Sequence, residues 1–141
     1  MQRRSAMPIR YWIDRDNGRL MTVADGEVTF RDITAHLDVE QESRDLDRAE
    51  LIDARAASTN ITADEVRSLV QRASDMLRTV QLGPTAIVTT NDVLFGMSRM
   101  YGIRAESLGI DAAAFRDMEA ASRWLDRRSA TTHHNKHKSG Q

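Results

Sequence analysis

Two short segments combine hydroxyl, amide and carboxylate side chains at positions where a helix is predicted to begin. The first contains Ser58, Thr59 and Thr62, and the second contains Asn91 and Asp92. Free backbone amides and the helix dipole at a helix start favour an anion, so a phosphate could be bound there or attached to a hydroxyl. The same residue types are also preferred helix caps. The segments therefore predict either an anion or partner site or simple capping.

Histidine and cysteine, two common residues of catalytic sites, are scarce in this chain. His36 is the only histidine in residues 8–127, and the chain contains no cysteine. We expect His36 to be a half-buried or exposed residue of the first helix, because no G-x-S-x-G turn accompanies it. The lack of cysteine excludes thiolate nucleophiles, thiolate metal sites and disulfides. The sequence therefore predicts a protein without enzymatic activity and without a cofactor.

Two further clusters contain residues that can bind metals or basic groups. His133, His134 and His137 lie in a terminal segment without large apolar residues, which should be flexible and offer no fixed coordination geometry. The acidic run between helix and strand is interpreted as a solvated turn, with docking of a basic partner as the alternative. Its carboxylates are Asp38, Glu40, Glu42, Asp45, Asp47 and Glu50. We accordingly predict no specific metal site.

Large apolar side chains are concentrated on the third helix. Phe95, Met97 and Tyr101 are either ordinary core residues or the wall of an adaptable pocket. The second interpretation predicts contacts with a small apolar or lipid-like ligand.

Composition narrows the class of protein. All 21 acidic residues lie between Asp14 and Asp126, whereas basic residues also occupy both ends. An acidic body is a poor non-specific partner for nucleic acid. No apolar run approaches the roughly 18 residues needed to span a bilayer, and no signal peptide is evident. We expect a cytoplasmic protein, either a monomer or a homodimer, with a flexible leader (1–7), one domain (8–127) and a disordered tail (128–141).

The elements that must position these residues follow from the apolar periodicity. Strands are predicted at 9–14 and 19–24, joined by an Asn17-Gly18 hairpin turn, and at 49–54, 85–90 and 110–115. Helices are predicted to begin at Thr29, at the Thr62 capping box, near Asn91 and at Asp117. This order predicts an α/β fold with a single mixed, mostly parallel sheet of about five strands, an N-terminal β-hairpin and four helices.

Several short runs in this order resemble the SpoIIAA-like proteins, which are allied to STAS domains and more remotely to the CRAL-TRIO fold. The runs are the helix start at 29–32, the strand Leu-Ile-Asp-Ala-Arg at 51–55, Ser-Arg-Met-Tyr at 98–101 and the segment 115–125. The resemblance covers about residues 8–126. It implies a STAS-like fold in which a hydroxyl at the start of the second long helix is phosphorylated by a partner kinase, here Ser58, Thr59 or Thr62. The STAS family has an Asp-Ser-Ser-Gly-type signature around this hydroxyl, whereas this chain has Ala-Ser-Thr-Asn at 57–60.

The leading functional expectation is therefore a bacterial, non-enzymatic regulatory module that acts through an unknown protein partner. Its predicted working surface is the carboxyl edge of the sheet. The alternative is a carrier of a small apolar or lipid-like ligand.

Overall fold

A computed structural model of the chain describes the backbone of residues 8–139 and the side chains of residues 8–128. The predicted leader at residues 1–7 lies outside the described residues. Five strands and four helices follow one another in the predicted order. They are β1 (Ile9–Ile13), β2 (Leu20–Val28), α1 (Phe30–Ser43), β3 (Glu50–Thr59), α2 (Ala63–Met76), β4 (Thr85–Val88), α3 (Asp92–Glu106), β5 (Ala112–Phe115) and α4 (Met118–Ser139).

The five strands form one sheet in the spatial order β1-β2-β3-β4-β5. β1 pairs antiparallel with β2, and the other three pairings are parallel. The predicted fold class is confirmed.

The helices cover the two faces of the sheet unequally. Ile33 of α1 and Leu94 of α3 pack on the face that carries Ala54, and α2 joins them through Leu69. Ala121 and other residues of α4 pack on the opposite face. Right-handed connections between successive parallel strands place α1, α2 and α3 on the same side, so the sheet has a three-helix face and a one-helix face.

The hairpin between β1 and β2 is confirmed, but its turn differs from the predicted one. Asn17-Gly18 was expected to form a two-residue turn with positive φ at both positions. Gly18 has a φ of 71°, whereas Arg44 is the one described non-glycine residue with positive φ. The loop is longer than two residues and covers residues 14–19. Within it, the Asn17 side chain accepts a hydrogen bond from the Arg19 amide (3.0 Å), and the Asp14 carbonyl accepts one from the Gly18 amide (2.8 Å).

Two strands continue beyond their predicted ends. β2 passes through Asp25-Gly26, which was expected to terminate it, and β3 runs to Thr59 rather than Ala54. A register shift between Val23 and Asp25 accommodates the irregular stretch. Gly26 then pairs with Ala57, so cross-strand pairing outweighs the local turn preference.

Two helices are also longer than predicted. α1 continues to Ser43, into the acidic run that was interpreted as a turn, and closes with Arg44 in the left-handed conformation. α4 continues to Ser139, through the segment predicted to be a disordered tail from residue 128. No proline or glycine interrupts residues 118–139, so nothing in the covalent structure stops this helix.

α4 is attached to the sheet by a buried cation. Arg19, at the start of β2, donates a hydrogen bond to Ser122 Oγ (3.1 Å) and forms an ion pair with Asp126. The pairing offsets the cost of burying the guanidinium.

α3 approaches β5 closely at a glycine. A Cβ atom on Gly102 would lie 2.5 Å from the carbonyl oxygen of Ala112, a distance that real Cβ contacts do not reach. Gly96 lies on the same helix, where a Cβ would meet nothing within 4 Å. Gly102 is buried against the sheet, which leaves no space for a methyl group, whereas Gly96 is exposed and has that space.

We predict that Gly102→Ala lowers the free energy of unfolding by about 1–3 kcal/mol, because α3 must shift away from β5. The matched substitution Gly96→Ala should instead raise it by up to about 1 kcal/mol through helix propensity. Urea denaturation of both variants measures the difference. Equal effects of the two substitutions would contradict the close approach.

Candidate functional site

A cavity of about 190 Å³ lies between the three-helix face of the sheet and helices α1, α2 and α3. Its lining is mainly aliphatic and comes from β2, β3 and all three helices. An engineered cavity of about 150 Å³ with such walls is able to bind benzene, so this volume suits a small ligand. The polar side chains that also line the cavity are Thr22, His36, Glu40, Glu50, Thr85, Ser98 and Tyr101.

Three of these polar side chains form one contact cluster, His36, Glu40 and Glu50, hereafter the His-Glu-Glu cluster. His36 Nε2 lies 3.0 Å from Glu40 Oε1, one helical turn further along α1, and 3.4 Å from Glu50 Oε2 on β3. The side chains of His36 and Glu40 are only 9% and 1% exposed. The interpretation of the acidic run was wrong for two of its members: Glu40 and Glu50 are buried rather than part of a solvated turn. His36 is a half-buried residue of α1, as predicted, and its side chain faces the cavity.

Burial and pairing act in opposite directions on the His36 imidazole. Burial favours its neutral form, but hydrogen bonds and charge attraction from Glu40 and Glu50 prevail and raise the pKa of His36 to about 9. Burial raises the pKa of Glu40 to about 7, against the lowering effect of its hydrogen bond to His36. The proximity of Glu50 raises that pKa further. The cluster therefore retains protons at neutral pH.

One oxygen of Glu40 is left without a partner. Glu40 Oε2 is buried and has no hydrogen-bond partner in the described part of the chain. An unsatisfied buried polar atom costs about 1–3 kcal/mol, and more where it carries charge. A buried polar group without a partner in a native protein calls for an explanation, such as a catalytic role or a bound ion or water.

One hydroxyl group and two tyrosines lie near Glu50 and His36. Thr22 on β2 donates a hydrogen bond of 2.6 Å to Glu50 Oε2, the same oxygen that faces His36. Burial and the nearby Glu50 carboxylate raise the pKa of Tyr101 to about 12, so its phenol stays protonated. The ring of Tyr11 meets the His36 ring edge-on at 5.5 Å. Glu50 is thus held by Thr22 from β2 and by His36 from α1.

The structure separates the predicted apolar contacts on α3. Met97 and Tyr101 line the cavity, and Tyr101 also approaches the His-Glu-Glu cluster. Phe95 does not line it. The guanidinium carbon of Arg116 lies over the Phe95 ring, 3.9 Å from the ring centroid. Arg116 also forms an ion pair with Asp92 at 2.9 Å.

The hydroxyls predicted at the carboxyl edge have different surroundings. Thr59 is buried and donates to the carbonyl of Val28 (2.8 Å). Thr62 caps α2 and exchanges hydrogen bonds with Glu65 in the predicted capping box. Ser58 is exposed.

The second edge segment leaves the sheet at a different level. Asn91 caps α3 by accepting a hydrogen bond from the Leu94 amide (2.9 Å). β4 ends at Val88, whose partner on β3 is Asp53, and β3 continues for six residues to Thr59. At about 3.3 Å per residue, the end of β3 extends about 20 Å beyond this pairing. Leu94, in the first turn of α3, nevertheless packs with Ala57 near the end of β3, so the two segments are not separated by this full length.

The sequence analysis missed the His-Glu-Glu cluster, although a signal was present. Ile33, His36, Leu37 and Glu40 occur at i, i+3, i+4 and i+7, the spacing of a buried helix stripe. A prediction based on the apolar members alone overlooks His36 and Glu40. The contact with Glu50 needs the register of α1 against β3, which no local pattern encodes.

The geometry of strands and helices has a counterpart among solved structures. An uncharacterised protein of the DUF3478 family from Shewanella loihica PV-4, described as having a SpoIIAA-like fold, superimposes with a TM-score of 0.57. The alignment covers 89% of this chain and 99% of the other, at 16% sequence identity. This chain has the SpoIIAA-like fold. The resemblance predicted from the short runs is confirmed at the level of the fold, and at this identity the SpoIIAA-like neighbour indicates nothing about activity.

No family model matches the chain, and no curated protein matches it. Within residues 8–139, no helix of this SpoIIAA-like chain combines the length and apolarity required to cross a bilayer.

We predict that the free energy of unfolding of the protein, measured in the absence of metal ions, falls as pH rises from 6.5 to 9. The pKa of His36 is 6.5 in the unfolded chain and about 9 in the folded one, so its contribution is complete below pH 6.5 and lost at high pH. The expected loss in the free energy of unfolding is up to about 3 kcal/mol. Glu40, with a pKa raised from 4.5 to about 7, acts in the same direction at lower pH.

Urea denaturation in chelating buffer at several pH values measures this slope. His36→Gln should flatten it, whereas Glu42→Gln on the exposed side of α1 should leave it unchanged. A wild-type slope that persists in His36→Gln would show that His36 does not cause it.

Proposed function

We propose that this chain, which has the SpoIIAA-like fold, is a non-enzymatic binding module. It holds a small, mostly apolar ligand between the three-helix face of the sheet and helices α1, α2 and α3. The observation that carries the proposal is the cavity of about 190 Å³, lined mainly by apolar side chains with a few convergent polar groups. Such a composition is characteristic of small-molecule sites.

The arrangement of polar groups supports a ligand with two unlike ends. Leu69 and Met97 belong to the apolar wall, whereas the His-Glu-Glu cluster and Tyr101 supply hydrogen-bonding groups. The apolar part of a ligand would gain from leaving water, and its polar end would be oriented by the cluster. This corresponds to the carrier that the sequence offered as the alternative function.

The regulatory module with a protein partner remains the second candidate. The exposed hydroxyl of Ser58 supports it, because a phosphate there would be accessible to a kinase and to a partner. Thr59 and Thr62 support it less, since both hydroxyls are engaged in structural hydrogen bonds.

Cavity filling tests the carrier. Ala54 on β3 lines the cavity, and Ala56 lies exposed two residues further on. We expect indole, used as a small apolar probe, to cause saturable shifts in ¹H–¹⁵N spectra at Leu69, Met97 and Tyr101. Ala54→Leu should weaken binding at least about 10-fold, a loss of about 1.4 kcal/mol, because the new side chain occupies the probe's space. Ala56→Leu should leave binding unchanged.

Native mass spectrometry of freshly purified protein gives an outcome without any variant. A co-purifying small-molecule mass supports the carrier. A ligand-free mass, no saturable indole shifts and a species phosphorylated at Ser58 would overturn the carrier in favour of the regulatory module.

A further inference from the structure

The His-Glu-Glu cluster brings three metal-ligating side chains together at one end of the cavity. One donor atom from each of His36, Glu40 and Glu50 lies within 4.8 Å of the other two. Two of the donors come from successive turns of α1 and the third from the start of β3. The donors are thus held by regular secondary structure, which fixes their positions more precisely than a loop would.

We propose that His36, Glu40 and Glu50 form a binding site for one divalent cation of the zinc class. The site is distinct from the terminal histidines that the sequence drew attention to, and it goes beyond the apolar ligand of the proposed function.

The spacing of the donors fits such an ion. Ligands about 2.1 Å from a tetrahedral zinc ion lie about 3.4 Å from each other. His36 Nε2 already lies 3.0 Å from Glu40 Oε1 and 3.4 Å from Glu50 Oε2. Small side-chain adjustments are therefore sufficient to place the three donors around a common centre.

The unpartnered oxygen of Glu40 is an independent observation that points to a bound cation. Its side chain is 1% exposed, and Oε2 has no hydrogen-bond partner among the described residues although it lies in the cluster. A cation bound by Glu40 would interact with this carboxylate directly and offset the cost of its burial.

The types of donor select among cations. Two carboxylates and a neutral imidazole balance the charge of a divalent ion. A nitrogen donor suits zinc and its neighbours, whereas magnesium and calcium prefer six or more oxygens. Thr22 donates to Glu50 Oε2 and would orient that ligand from outside the coordination sphere.

Three protein ligands leave a zinc ion with an open position. Because all three residues line the cavity, a bound ion would present that position to whatever occupies it. The ion would then select ligands that carry a donor atom at one end.

The competing explanation is an ion triad in which a protonated His36 lies between the two carboxylates. The two arrangements make opposite predictions for zinc titration, because the triad has no need of a metal.

The test uses the full chain with His133→Asn, His134→Asn and His137→Asn, so that the terminal histidines cannot bind metal. After dialysis against a chelator, isothermal titration with ZnCl₂ should show one equivalent with a Kd on the order of 1 µM or tighter. Glu40→Gln in this background should weaken binding at least about 100-fold, since loss of even an outer-shell partner costs about 10–100-fold. Asp38→Asn, exposed on the same helix, should bind zinc normally.

Cobalt substitution gives a readout that needs no change in the cluster. Co²⁺ added to the same background protein should develop the intense visible absorption of a four-coordinate ion with nitrogen and oxygen ligands. Absence of a saturable zinc site, unchanged zinc binding in Glu40→Gln, or a purely aqueous cobalt spectrum would overturn the metal site and favour the triad. None of these outcomes bears on indole binding, which is measured separately.

Discussion

Burial of an imidazole between two carboxylates constrains how α1 sits on the sheet. Removing ionisable groups from water costs several kcal/mol for each ion unless a partner compensates it. His36 and Glu40 on α1 therefore require Glu50 on β3 at hydrogen-bonding distance, and Thr22 on β2 holds Glu50 in place. An element that moved away would leave a buried charge without its partner. The rotation of α1 and the start of β3 are thus coupled through polar contacts inside an otherwise apolar layer.

The remaining architecture leaves space on that same side of the sheet. α3 comes within backbone contact of β5 at Gly102, while α4 closes the opposite face through Leu125 and the ion pair of Arg19. On this side of the sheet, α3 packs directly against β5 at Gly102, and the cavity lies elsewhere between the sheet and the helices. A cavity with an apolar wall and a polar end is consistent with ligand binding, and the cluster determines where the polar part of a ligand would lie.

The sequence predicted the order of strands and helices because capping boxes, glycine turns and apolar periodicity are local signals. Thr29, Thr62 and Asn91 cap their helices as such signals indicate. The ends of β2 and β3 were wrong because pairing between neighbouring strands overrode the local preference at Asp25-Gly26. The site was only partly predictable: Met97 and Tyr101 were proposed as ligand contacts because large apolar side chains are concentrated on the third helix, whereas the His-Glu-Glu cluster depends on a contact between α1 and β3. Charged residues at buried positions resemble solvated ones until the register of the elements is known.

The cavity and its polar end are the central claim, and a crystal structure determined under xenon pressure tests it most directly. Xenon enters apolar cavities and is located by its anomalous scattering. We predict a xenon peak between Leu69, Met97 and Tyr101, with His36 held between Glu40 and Glu50 at the end of the same cavity. Absence of xenon from this position, with α1, α2 and α3 packed directly against the sheet and no remaining space, would contradict the claim.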